Sequence, residues 1–180
     1  MEQKNKKTTT GLLHVYCGDG KGKTTTAVGL IVRAAGAGKK VLFYQFMKNG
    51  TSSERKILEN IQNITCIGGK ENAKFSFQMT EEEKIQEKKE NEEMISKLFE
   101  EANDYDVLCL DEVLYAIRAN LLEEELVIQQ LKKRKKELEV ILTGRDPSER
   151  IMELADYVSE IQKKKHPFEQ GIPARFGIEY

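Results

Sequence analysis

The stretch Cys17-Gly18-Asp19-Gly20-Lys21-Gly22-Lys23-Thr24-Thr25 carries the residue types that cradle a highly charged anion. Its glycines let the backbone turn tightly, so that successive N–H groups converge on phosphate oxygens. Lys23 adds a point charge for the outer phosphates of a nucleoside triphosphate, and the Thr24 hydroxyl suits Mg²⁺. Asp19, Lys21 and Thr25 complete the set of expected loop contacts. In one respect the loop departs from the usual motif: Cys17 stands where a glycine normally opens it. Gly18 and Gly20 are expected to supply the turn instead. A chance glycine-rich turn is the competing reading, and the flanking sequence argues against it.

The apolar, β-rich run 12–17 leads into the loop, and Ala27, Leu30, Ile31 and Ala34 follow at helical spacing. A helix beginning at Lys23 points the positive end of its dipole at the phosphates. Gly36 and Gly38 end it before a second strand, 40–46. Thr51 and Glu54 have capping-box spacing for a short helix to Asn60. A third strand, 63–67, precedes another capping box, Thr80 and Glu83, and the longest helix, which runs to about Asn103. Its core face is Ile95, Leu98, Phe99 and Ala102, and the surrounding Glu and Lys read as a solvated face. A fourth strand, 106–110, is apolar almost throughout, as a strand covered on both faces should be. Helical segments 113–119 and 123–136, a fifth strand 138–143, and a helix opened by Asp146 as N-cap, Pro147 at N1 and Glu149 at N3 come next. A sixth strand, 157–161, leads to a tail without periodicity, whose Gly, Pro and aromatic content suggests an ordered, packed, extended segment. Strands alternating with helices imply a P-loop NTPase-like (RecA-like) α/β fold with a mostly parallel sheet and helices on both faces.

Ligands in such sheets sit beyond the carboxyl ends of the strands. Asp111 and Glu112 follow the fourth strand, and an acid there commonly holds Mg²⁺ directly or through water. The bland alternative is a solvated turn. Arg145, in Thr143-Gly144-Arg145 after the fifth strand, has the planar fork that fits a phosphate oxygen, or a surface salt bridge. Lys48, after the second strand, is a weaker phosphate candidate. These residues define a P-loop nucleotide-binding protein. An ATPase or kinase acting on the γ-phosphoryl group, with Glu112 as the base, stays open, as does a nucleotide-gated binding module without chemistry.

Composition bounds the rest. At 180 residues the chain makes one domain of ordinary size, expected over 11–180 after a flexible, lysine-rich N-terminal segment, 1–10. A formal net charge of −1 argues against a nucleic-acid footprint. No apolar stretch is long enough to span a bilayer, and the N-terminus lacks the apolar core of a signal peptide, so a cytoplasmic protein is expected. Cys17, Cys66 and Cys109 lie in or beside strand-like runs without metal-ligand spacing, and read as reduced, buried small hydrophobes.

Two further stretches point beyond nucleotide binding. Lys74-Phe75-Ser76-Phe77 places two aromatics on one side of an extended loop at the ligand end of the sheet, as a flat apolar platform or as loop packing. The tail reads His166-Pro167-Phe168, then Ala174-Arg175-Phe176-Gly177-Ile178-Glu179-Tyr180. With Gly18 to Thr25, Leu110-Asp111-Glu112, Thr143-Gly144-Arg145 and the run Ala155 to Glu160, these motifs resemble, nearly end to end, the P-loop type of ATP:corrinoid adenosyltransferase.

The resemblance implies a reaction unlike hydrolysis. A reduced Co(I) corrinoid (cob(I)alamin, cobinamide or cobyrinic acid diamide) attacks C5′ of ATP, and triphosphate leaves. It implies ATP bound in reverse across Gly18 to Thr25 with Arg145, and Lys23 and Glu112 as catalytic groups. Mg²⁺ would lie on Thr24 and Glu112, with Asp111 beside it. It further implies a flavodoxin-like or other flavoprotein reductant and a homodimer. Phe75 and Phe77 would lie against the lower face of the corrinoid, displacing the lower axial ligand so that Co(II) becomes easier to reduce. Relatives often carry Trp at the second of these positions, and this chain has no Trp. Because the cobalt centre is itself the nucleophile, no triad is required. His14 reads as a strand residue and His166 as part of the tail motif.

Overall fold

A computed structural model describes residues 10–48, 50–69, 74 and 76–179. The elements follow one another as β1 (Leu13–Cys17), α1 (Lys23–Gly36), β2 (Val41–Gln45), α2 (Arg55–Leu58), β3 (Ile64–Cys66), α3 (Glu81–Glu101), β4 (Val107–Asp111), α4 (Val113–Arg118), α5 (Glu124–Lys133), β5 (Glu139–Thr143), α6 (Glu149–Leu154) and β6 (Tyr157–Glu160). Among the described residues every strand pairing is parallel, in the order β3-β2-β4-β5-β1-β6. This is the P-loop NTPase-like architecture expected from the alternation of strands and helices.

Alternate residues of the central strands serve opposite faces of the sheet. Val41 and Phe43 of β2 pack with Ala27, Ile31 and Ala35 of α1 and Leu58 of α2. Leu42 and Tyr44 pack on the other side with Ile95, Leu98 and Phe99 of α3 and Val127, Ile128 and Leu131 of α5. Each Val, Leu, Ile or Phe among them contributes about 1.5–3 kcal/mol when fully buried. Helices therefore cover both faces, and β2 and β4 are apolar up to their last residues, Gln45 and Asp111, because neither face meets water.

The capping box at Thr80 and Glu83 forms as expected, with reciprocal side chain-to-backbone bonds of 3.2 and 3.0 Å. Two other starts differ. The short helix begins at Arg55, with Glu54 at its N-cap and no side-chain cap, because the Glu54 carboxylate is taken by Gln45. The helix after β5 is capped by Ser148, whose hydroxyl accepts from the Ile151 N–H, and not by Asp146. Asp146 instead takes a left-handed conformation (φ 49°) and pairs with Arg118.

The tail also differs from expectation. It is mostly exposed, with a 3₁₀ turn at Pro167–Gln170. His166 caps that turn, its Nδ1 accepting from the Phe168 N–H at 3.2 Å. His14 is a strand residue, bonded to Glu139 at 2.6 Å and stacked on Tyr157. Cys17 and Cys109 are buried, whereas Cys66 is half-buried, and all three are free thiols.

Candidate functional site

The loop after β1 is held open by glycine. Gly18 (φ 103°) and Gly22 (φ 124°) adopt backbone conformations that side chains disfavour. Gly20 is required for space instead of turning: a Cβ there would lie 2.7 Å from the Ile161 carbonyl oxygen. That carbonyl accepts the Gly20 N–H at 2.7 Å, and the Ile161 N–H donates to the Cys17 carbonyl at 2.8 Å. The Asp19 carboxylate accepts the Lys163 N–H at 2.9 Å. The segment after β6 therefore braces the loop from outside, and Asp19 serves that brace.

Lys23 opens α1 and is almost fully buried, its Nζ donating to the Gly20 carbonyl at 2.8 Å. Burial, reinforced by the Arg145 guanidinium, pulls its pKa below the ordinary lysine value, while Glu112 pulls the other way. Lys21 and Thr25 are exposed at the loop surface.

Asp111 ends β4 with no exposure to solvent. Its Oδ1 accepts from the Thr24 hydroxyl at 2.9 Å and the Thr143 hydroxyl at 2.6 Å. Its Oδ2 accepts from Gln45 Nε2 at 3.1 Å and lies 3.6 Å from Lys48 Nζ. Gln45 is held in turn by the Ser52 hydroxyl and Glu54. Gln45 and Ser52 went unnoticed in the sequence as site residues, and Glu54 was expected only in a capping box. The only available signal was their place beyond a strand end, which any turn shares.

Glu112 follows in a left-handed conformation (φ 59°, ψ 16°) that turns its side chain out of line with the strand. Its N–H donates to Thr143 Oγ1 at 2.8 Å. Burial, and then the neighbouring Asp111 charge, raise its pKa above the usual carboxylate value, against the pull of Lys48, Lys23 and Arg145. Glu112 lines a cavity of about 440 Å³ with Ser76, Tyr115, Arg118, Ala119 and Arg145. Ser76 and Tyr115 share a hydroxyl–hydroxyl hydrogen bond of 2.8 Å, which joins the aromatic segment to α4.

The structure thus brings Lys23, Thr24, Asp111, Glu112 and Arg145 to one end of the sheet. Phe77 follows Ser76, one of the residues that line the cavity. It lies in a 3₁₀ turn, Ser76–Gln78, and not in extended backbone, so the same-side argument does not apply to it. It is 79% exposed, which excludes a ring tucked beneath the sheet. Phe75, the other half of the expected platform, lies outside the described residues.

Among the described residues no three acidic, His or Cys side chains gather as a metal cage. Mg²⁺ needs none, since it keeps several waters and takes one or two protein oxygens with substrate phosphates. The Thr24 hydroxyl and the Glu112 carboxylate are hard oxygen donors of that kind.

A phosphate-binding loop, a buried acid at the end of a neighbouring strand and a parallel sheet covered on both faces define a P-loop nucleotide-binding protein. The solved structure of EssC (ATPases 2 and 3) from Geobacillus thermodenitrificans shares this fold, with a TM-score of 0.50 and 15% identity, over 93% of this chain and 35% of that one. Residues 9–180 match the family described as ATP:corrinoid adenosyltransferase BtuR/CobO/CobP, and the chain belongs to that family. The corrinoid adenosyltransferase of Escherichia coli (strain K12) is 36% identical over 174 residues, covering 94% of this chain and 86% of the relative. Corrinoid adenosyltransferase CobA of Salmonella typhimurium is 35% identical over 180 residues, with the same coverage. A corrinoid adenosyltransferase of Sinorhizobium sp is 31% identical, covering 94% of this chain and 80% of the relative.

Proposed function

We propose that residues 11–180 form one catalytic domain that transfers the 5′-deoxyadenosyl group of ATP to the Co(I) centre of a reduced corrinoid. The cobalt electron pair forms the Co–C5′ bond, and the C5′–O bond breaks with its electrons passing to the departing triphosphate. The observation that carries this reading is the hydrogen-bonded set Thr24–Asp111–Thr143–Glu112 at the mouth of the phosphate loop, in a chain of this family. Hydrolysis or γ-phosphoryl transfer, which the loop alone would also allow, is not favoured by that membership.

Several negative charges develop on the leaving triphosphate, so preorganised donors at its oxygens lower the barrier. The N–H groups of Gly18 to Thr25 and the Lys23 ammonium supply them, once Lys23 Nζ exchanges the Gly20 carbonyl for phosphate. Arg145 is exposed at the cavity edge and is suited to a further phosphate oxygen. Mg²⁺, held by Thr24 and Glu112, would supply Lewis-acid stabilisation of the same charge. Asp111 has both oxygens occupied by donors, so its part is to accept the Thr24 proton and leave that hydroxyl's lone pairs facing outward. Glu112, facing the cavity, makes the direct contact.

Phe75 and Phe77 would form the apolar wall beneath the corrinoid, and the exposure of Phe77, next in sequence to the cavity-lining Ser76, supports this. A flavodoxin-like flavoprotein supplies the electron that makes Co(I). A homodimer in the cytoplasm completes the reading. The exposed apolar side chains of β6 and the tail, Tyr157, Val158, Phe168 and Phe176, support an assembly. No described helix is long and apolar enough to cross a membrane. The test is spectroscopic: the protein, ATP, Mg²⁺ and chemically reduced corrinoid should give the cobalt–carbon absorbance change. Co(I) that persists under anaerobic conditions, with no cobalt–carbon bond formed, would overturn the proposal.

A further inference from the structure

Thr143 has no assigned role, yet its hydroxyl joins the two acids. Thr143 is the last residue of β5, the strand that lies between β1, which leads into the phosphate loop, and β4, which ends in Asp111. It is fully buried. Its single proton goes to Asp111 Oδ1 at 2.6 Å, and its lone pair receives the Glu112 N–H at 2.8 Å. A hydroxyl can do both at once, whereas no apolar side chain can do either.

Each bond fixes something that needs fixing. Asp111 must present its oxygens to Thr24, whose hydroxyl lies 2.9 Å from Oδ1 and 3.2 Å from Oδ2, and the Thr143 hydroxyl on Oδ1 fixes the orientation of the carboxylate. Glu112 sits at positive φ without the glycine that such a position favours. It has no side-chain cap, and its own N–H would otherwise be a part-buried donor without an acceptor at the start of α4. The bond to Thr143 Oγ1 satisfies that donor and holds the conformation that turns the Glu112 side chain into the cavity. Backbone strain of this kind persists only where its surroundings over-determine it.

We infer that Thr143 is a positioning residue that sets the orientation of both acids, and thereby makes the ATP site selective for nucleotide carrying a divalent cation. The inference rests on the adenosyltransferase reading above for its turnover arm, but not for its binding arm. Removal of the hydroxyl leaves Lys23 and the loop N–H groups in place, so bare ATP should still bind. The part of affinity and rate that depends on Thr24 and Glu112 acting together should fall.

The experiment compares Thr143→Val, which keeps the size but loses the hydroxyl, with Thr143→Ser, which keeps the hydroxyl. ATP binding is titrated calorimetrically with Mg²⁺ and with chelator, and turnover is measured with chemically reduced corrinoid. Thr143→Val should bind ATP in chelator within about twofold of wild type, lose roughly tenfold of the Mg²⁺-dependent gain in affinity, and drop in kcat at least tenfold while the corrinoid KM stays unchanged. Thr143→Ser should match wild type within about twofold in every measurement. If Thr143→Val does not fold, Thr143→Cys against Thr143→Ser carries the same comparison, with Cys impaired and Ser not. Wild-type Mg²⁺ dependence and kcat in a folded Val or Cys variant would overturn the inference. So would equal losses with and without Mg²⁺, which indicate general damage to the loop. If wild type itself makes no adenosylated corrinoid, the functional reading fails, and the Mg²⁺ titrations still decide the role of Thr143.

Discussion

Lys23 and Glu112 sit near one another under opposite pressures, the ammonium pushed toward its neutral form and the carboxyl toward its protonated form, each chiefly by burial. In the proposed function substrate would relieve both, with triphosphate bringing negative charge to Lys23 and a divalent cation bringing positive charge to Glu112. Lys23→Ala should remove one donor from the leaving group and cost roughly 2.7–4 kcal/mol of barrier, a loss of 10²–10³ in kcat. Unchanged turnover in that variant would refute the phosphate-loop assignment. Glu112→Gln should abolish most of the Mg²⁺ dependence, and Asp111→Asn should do so less, because Asp111 acts through the Thr24 hydroxyl. Small and equal effects would favour a solvated turn. The raised Glu112 pKa also has a stability consequence whose sign is fixed. A carboxyl whose folded pKa lies above its unfolded value near 4.5 stabilises the fold below that value, and the benefit is lost as pH rises through the folded pKa. Nucleotide-free Glu112→Gln should therefore have a higher Tm than wild type at pH 7, with the difference disappearing toward pH 4. Thermal unfolding across that range checks it, and a lower Tm at pH 7 would contradict it.

Gly144 shows how elements constrain the site. It has φ 143°, and a Cβ there would lie 2.6 Å from Leu114 Cβ and 2.9 Å from the Tyr115 nitrogen. Gly144→Ala must push α4 away from β5, and Glu112 is the residue that leads into α4. The variant should lose about 1–3 kcal/mol of stability from strain alone, measured by denaturant unfolding, and lose turnover as well. Full activity at wild-type stability would mean that α4 does not need this close approach. At this scale much was legible in the sequence. The six strands, their order along the chain and the α3 core face of Ile95, Leu98, Phe99 and Ala102 follow from periodicity, which is a local property. The Thr80–Glu83 box was legible because both its bonds lie within three residues. The cap at Ser148 was not, because Asp146 and Ser148 are both good caps and the choice depended on Arg118, from another helix. The brace of the phosphate loop by Ile161 and Lys163 was also hidden, since it joins residues more than 140 positions apart. Asp111 and Glu112 were visible as a pair. That one buried hydroxyl sets both of them became apparent only once β5 was placed beside β4.

Taken whole, the molecule gathers the phosphate loop and its two acids at one end of the sheet and leaves the Phe77 ring exposed. Phe77→Ala should keep ATP binding and keep turnover when a strong chemical reductant supplies Co(I). With a flavoprotein reductant it should fail, more severely for cobalamin than for a precursor without the lower nucleotide base. An aromatic ring contributes about 1.5–3 kcal/mol on transfer to an apolar contact, enough to compete with a weak axial bond. Full activity with the flavoprotein would make the ring ordinary loop packing. The central claim concerns which bond of ATP breaks. The direct measurement is phosphorus NMR of the products formed from ATP, Mg²⁺ and chemically reduced corrinoid, alongside chromatography of the corrinoid. Adenosyl transfer gives inorganic triphosphate and adenosylated corrinoid in equal amounts, with no turnover of ATP when the corrinoid is left out. ADP and inorganic phosphate, formed whether or not the corrinoid is present, would contradict it.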